Sequence, residues 1–146
     1  MKLTAFTDYS LRVLIYLATD TTRRATIAEI AASFDISENH LVKVVHFLGR
    51  QGWIETVRGR GGGILLAMPP ERVNVGKVVR DTEGAALPAE CFSEDGGRCV
   101  ISGSCRLQGV LGEAVKAFYA VLDRCTLEDL SRNRQTLSKV LMIRAA

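Results

Sequence analysis

Residues 37–67, SENHLVKVVHFLGRQGWIETVRGRGGGILLA, decide the fold. Leu41, Val44, Val45 and Leu48 recur at steps of three and four, the spacing of one buried helix face. Ser37 can cap its start and Gly52 can stop it. Two short β-prone runs follow, Trp53–Val57 and Ile64–Ala67, joined by the glycine-rich stretch Arg58–Gly63, which predicts a hairpin. These glycines do not form a dinucleotide fingerprint, because a strand follows them where a helix would have to open.

The pattern extends outward in both directions. Thr26-Ile27-Ala28-Glu29 has the form of a capping box, followed by Ile30, Ala31 and Phe34, and predicts a short helix ahead of the turn at 34–37. Phe6, Leu11, Val13, Leu14, Leu17 and Ala18 mark a first helix from Phe6 to Leu17. Pro69-Pro70 ends the hairpin, and a further helix is expected from about Val75 to Thr82. Helix, turn, helix and hairpin in this order describe a winged helix-turn-helix over residues 1–82, mainly α with a small β-hairpin wing.

A long C-terminal helix is expected from about Cys105 to Arg124. Leu107, Leu111, Ala114, Phe118, Val121 or Leu122, and Cys125 form a heptad-like seam suited to pairing with a second copy of the chain. Packing against the first helix of the same chain is the alternative. Residues 106–146 therefore read as a dimerisation helix with a tail, the part after Leu130 being a short helix or a docked arm. Cys125 reads as a small buried apolar residue of the seam.

The chain has 146 residues, enough to bury a core without covalent staples. Its net charge of +3 is unevenly placed: eleven Lys and Arg against seven acids before residue 81, a net of +4, and −1 after it. A basic N-terminal half suits a polyanion partner. The polar residues Thr4, Thr7, Asp8 and Ser10 exclude a secretory signal, and the longest apolar run, Val13–Ala18, is far short of a membrane span. A cytoplasmic protein with no membrane partner is expected, where stable disulfides are unusual. No nucleophile, base and orienting group fall into a catalytic set, so no enzyme activity is expected.

On the third helix Glu38, Asn39, His40, Lys43 and His46 face outward and can enter a major groove of double-stranded DNA. Asn can pair bidentately with adenine and Lys with guanine or phosphate. At the wing tip Arg58 and Arg60 flank Gly59 and can enter a minor groove. Arg12, Arg23, Arg24 and Arg50 could add phosphate contacts.

Between these parts, residues 83–105 carry Cys91, Cys99 and Cys105 in a C-x7-C-x5-C arrangement. Structural zinc usually takes tighter pairs and a fourth ligand, and no histidine lies nearby. Redox-active thiols remain a competitor. The wide spacing suits an iron-sulfur cluster, in which three thiolates leave one iron needing another donor.

The stretches LTAFTDYSLRVLIYLA (3–18), SENHLVKVV (37–45), VRGRGGGILL (57–66) and CRLQGVL (105–111), with the cysteine loop, resemble the nitric-oxide-sensing branch of a winged-helix family of iron-sulfur regulators that includes IscR. The likeness runs over nearly the whole chain. It implies a homodimeric repressor on a palindromic operator, with a cluster held by Cys91, Cys99 and Cys105 and nitric oxide as the signal. In the IscR branch a histidine three residues after the last cysteine completes the site. Gln108 stands there in this chain and points to the other branch, hence to a four-iron, four-sulfur (4Fe-4S) cluster rather than a 2Fe-2S one. The resemblance also implies Asp8 of the partner subunit as the fourth ligand, with Arg12 near the cluster. Local capping of the first helix is the alternative use of Asp8. The x7 spacing is longer than the family's usual five or so. Alternatives in function are a cysteine thiol-switch regulator without a cluster, an iron-sulfur-homeostasis regulator of the IscR type, and a cluster carrier that does not bind DNA.

Overall fold

The structure, a computed structural model, describes residues 2–84, 89–93, 98–101 and 104–145. Residues 85–88, 94–97 and 102–103 of the expected cysteine loop, and the last residue of the tail, lie outside the described residues. Helix α1 (Ala5–Thr19) starts at Thr4, whose hydroxyl accepts from the Thr7 amide at 3.2 Å. Helix α2 (Ile27–Phe34) forms the predicted capping box: the Glu29 amide donates to Thr26 Oγ1 at 3.2 Å, and the Thr26 amide donates to Glu29 Oε2 at 2.6 Å. Asp35, in the left-handed region at φ 54°, closes α2. Helix α3 (Glu38–Arg50) begins at Ser37, but the Ser37 side chain makes no capping hydrogen bond, contrary to expectation. The helix ends two residues before Gly52, whose φ of 76° turns the chain into the wing.

The wing consists of β1 (Ile54–Val57) and β2 (Gly63–Leu66), antiparallel, with Ile54 opposite Leu66 and Val57 opposite Gly63. The first strand is one residue shorter than expected, and the second keeps its expected length but starts and ends one residue earlier. Ala25 adds a bridge to Ile64 through two backbone hydrogen bonds of 3.0 and 2.8 Å. That close approach needs glycine at 63, because a Cβ there would lie 2.9 Å from the Ala25 carbonyl oxygen.

Helix α4 (Val75–Glu83) follows, capped by Asn74, and its C-terminal Glu83 accepts from the Thr4 amide at 2.8 Å and the Thr4 hydroxyl at 3.0 Å. The core is built from Leu14, Ile30, Leu41, Leu48, Val78 and Leu127, all essentially buried. Burial of such side chains is the main source of stability, at about 1.5–3 kcal/mol each. Thr7, Ser10, Ser33 and Ser131 are buried too, and the hydroxyls of Ser10, Ser33 and Ser131 donate to carbonyls one turn back.

After the long helix α5 (Arg106–Leu122) the chain returns. Helices α6 (Leu127–Ser131) and α7 (Arg134–Ala145) pack on α1 and α2, so the tail is a docked helical arm that completes the core of the N-terminal half. Helix α5 has no buried residue, and its main packing partner within the chain is α4, not α1. The structure also redraws its seam. Leu111, Phe118 and Leu122 are half-buried, whereas Leu107, Val110, Ala114, Ala117 and Val121 are exposed at steps of three and four. Cys125 lies beyond the end of α5, in the turn before α6, and is half-buried rather than part of a seam. Among the described residues no helix is long and apolar enough to cross a membrane.

Candidate DNA interface and cysteine loop

Helix α3 is fixed from behind by Leu41, Val44, Val45 and Leu48, and by Phe47, whose ring meets that of Phe6 edge to face at 5.2 Å. This leaves Glu38, Asn39, His40, Lys43 and His46 exposed on one face. The His40 ring lies 6.1 Å from that of Tyr9 on α1, so it is oriented from its own chain.

At the wing tip Arg58 and Arg60 are both exposed. The turn between them and β2 is tight: the Gly62 amide donates to the Gly59 carbonyl at 2.9 Å, and a Cβ on Gly62 would lie 2.3 Å from the Val57 carbonyl oxygen. Arg24 tethers the tip, donating to the Gly61 carbonyl at 3.1 Å. The other candidate phosphate contacts divide. Arg23 is held by Glu29 at 2.7 Å and by the Tyr16 hydroxyl at 3.1 Å. That pairing, and next the Thr26 amide, keep the Glu29 carboxyl below the usual carboxylate range. Arg12 is held by Asp8 at 2.8 Å, whereas Arg50 is exposed in the last turn of α3.

Cys91 sits in a short 3-10 turn, Glu90–Phe92, Cys99 in irregular backbone, and Cys105 at the N-cap of α5. All are free, half-buried thiols. Gln108 Nε2 donates to the Cys91 carbonyl at 2.9 Å, and the Phe92 ring lies 3.7 Å from where a Cβ on Gly112 would stand, so the first cysteine's turn leans on α5. Among the described residues no three His, Cys, Asp or Glu side chains are gathered as a metal site. The donor chemistry fits an iron-sulfur cluster, with three free thiols on one loop. Asp8 stands on α1, paired with Arg12 of its own chain.

Sequence reasoning missed the joint that carries α5. Arg80 on α4 donates to both carboxylate oxygens of Asp123, 43 residues away, at 2.6 and 2.7 Å, and its guanidinium lies 4.2 Å from the Tyr119 ring centroid. Asn74 Nδ2 donates to the Asp123 carbonyl at 2.8 Å, and the Val75 amide to the Cys125 carbonyl at 3.0 Å. No local pattern announces a contact at such a separation.

An exposed helix of a helix-turn-helix, a glycine-tipped wing with two free arginines and a thiol-bearing loop define a winged-helix transcriptional regulator. Residues 3–133 match the Rrf2 family of iron-dependent transcriptional regulators, and the chain belongs to that family. It is 50% identical over 145 residues to the HTH-type transcriptional regulator NsrR of Bacillus subtilis, covering 99% of each chain. Among solved structures it is similar to CymR, the global cysteine regulator of B. subtilis, with 30% identity, 91% and 98% of the two chains covered and a TM-score of 0.70. It is also similar to T. potens IscR, with 25% identity, 91% and 88% covered and a TM-score of 0.73.

Proposed function

We propose that the chain is a nitric-oxide-sensing transcriptional repressor of the NsrR type, acting in the cytoplasm as a homodimer on a palindromic operator. The observation that carries this reading is the likeness to NsrR over 99% of both chains, wing and cysteine loop included. In this reading residues 1–82 bind DNA, 83–105 form the sensing loop and 106–146 supply the dimer helix and the returning arm. Asn39, His40 and Lys43, with Glu38 setting the polarity of the first turn, meet base edges. Arg58 and Arg60 enter the adjacent minor groove. The exposed stripe Leu107, Val110, Ala114, Ala117 and Val121 pairs with its copy, the alanines allowing close approach.

Cys91, Cys99 and Cys105 would hold an iron-sulfur cluster, 4Fe-4S in this reading and 2Fe-2S in the alternative, with Asp8 of the partner subunit as the fourth ligand. When bound, the cluster supplies iron sites at which nitric oxide can bind. The protein's part is positional. Cys105 begins α5 and the Cys91 turn leans on it through Gln108, so a change in loop shape is felt by α5 and, through Arg80, by α4. Asp8 is followed on α1 by Tyr9, whose ring lies near that of His40, so in this reading the intersubunit contact would lie close to α3. A coupling of about 1–3 kcal/mol changes operator affinity about 5- to 150-fold, enough to derepress genes for nitric-oxide detoxification.

Anaerobic purification with iron and sulfide analysis, followed by nitric-oxide titration with operator binding measured in parallel, tests the reading. Iron-loaded protein that loses operator affinity on titration is expected. Iron-loaded protein that stays bound overturns it. The free, half-buried thiols also support a thiol switch without a cluster, for which colourless, iron-free protein with full DNA binding is the signature. Gln108, spent on the Cys91 carbonyl, gives the IscR-type reading no matching ligand.

A further inference from the structure

Val42 departs from its surroundings. Its neighbours on the outward face of α3, Glu38, Asn39, Lys43 and His46, are polar, yet the valine keeps 50% of its surface exposed. It stands apart from the core cluster that Leu41, Val44, Val45 and Leu48 join. Folding does not ask for valine there: a β-branched residue is a weaker helix former than alanine or lysine, and apolar surface left in water gains nothing from burial. Asn39 lies three positions before it and His46 four after, so the three share one stripe.

The side chain also lines an open groove between α3 and β1, with His46 and Arg50 on its own side and Thr56 and Val57 opposite. The groove's lining carries Arg50 and Glu55, and the exposed Lys43 next to Val42 adds positive charge to this face of α3, which suits a nucleic-acid strand better than an apolar peptide. On the base edges of a major groove the apolar feature is the 5-methyl group of thymine. The two γ-methyls of a helical valine are held in essentially one rotamer, so they meet such a group with little ordering cost.

We infer that Val42 is a specificity-determining residue that reads the 5-methyl group of one thymine in each operator half-site. The inference rests on the reading that α3 enters the major groove.

The test uses the full-length chain, purified without oxygen, and an operator duplex that it selects from a randomised pool. Each thymine is replaced in turn by deoxyuridine, which removes only the methyl group. At one position per half-site the replacement weakens wild-type binding about fourfold per methyl. Val42→Ala binds the unmodified duplex more weakly by a similar factor and is indifferent to deoxyuridine at that position. Each deoxyuridine comparison is made within one protein, so a change in folded fraction does not alter it. A wild-type protein indifferent to every replacement overturns the inference, as does a Val42→Ala protein that keeps full sensitivity. Failure to enrich any duplex overturns the DNA reading of α3 and this inference with it, whereas an enriched duplex with no sensitive thymine overturns this inference alone.

Discussion

Arg80 and Asp123 are joined by two hydrogen bonds of 2.6 and 2.7 Å, and this pair connects the DNA-binding core to the one long helix that buries none of its own residues. Around it, Tyr119 stacks under the guanidinium and Asn74 holds the Asp123 backbone. In the proposed reading, a change at Cys105, the residue before α5, would reach α3 through this joint or through a partner subunit.

The pair also has a pH signature. The hydrogen bond from Arg80 holds the Asp123 carboxyl below the usual carboxylate range. Because the folded-state value is depressed, the pair's contribution is fully present above the unfolded value and is lost as pH falls through the folded one. Arg80→Ala is therefore expected to lower the urea midpoint slightly at pH 7, since the pair is exposed to water. The difference from wild type should close on acidification through that range. Urea titrations of both proteins across the acid range check this, and a gap that widens in acid would count against the pair.

Gly76 lies under the same joint. A Cβ there would stand 2.0 Å from Asp123 Oδ1 and 2.9 Å from the Asp123 amide nitrogen. The side-chain oxygen can swing away but the backbone cannot, so Gly76→Ala should part α4 from α5 at a cost of about 1–3 kcal/mol, despite alanine's better helix propensity. Equilibrium denaturation gives the number. A variant more stable than wild type would mean the joint is looser than its distances.

The wing arginines should act through charge. Replacing both Arg58 and Arg60 with alanine is expected to reduce the slope of log affinity against log salt by about 2, while a thymine-sensitive position of the operator stays sensitive. Fluorescence anisotropy at several salt concentrations measures the slope, and an unchanged slope removes the wing from the interface.

Leu107 and Val110 are each 61% exposed in the single chain. Leu107→Glu with Val110→Glu should leave the fold intact, because neither side chain supports the core, and should convert a dimer to a monomer by placing charge on a paired apolar stripe. Sedimentation velocity and circular dichroism together decide it: a variant that is still dimeric moves the interface elsewhere.

What could be read from the sequence was whatever depends on near neighbours. Thr26 and Glu29 satisfy each other's backbone groups three residues apart, and Leu41, Val44, Val45 and Leu48 fall on one side of any helix through them. The wing follows from glycines between two β-prone runs. The three cysteines and Gln108 were visible as a pattern, as were Arg58 and Arg60. Local rules also misled. Ser37 leaves its cap unmade, and Arg23, attractive as a free cation, is neutralised by Glu29. Which face of α5 stays free could not be read from periodicity, because two apolar stripes overlap on that helix. Only the folded chain, in which α5 packs on α4, shows Leu111 and Phe118 half-buried and Leu107 and Val110 exposed. The return of α7 onto α1 and α2, the grip of Arg80 on Asp123, and the exposure of Val42 depend on chain segments brought together by core burial, which acts without regard to sequence separation.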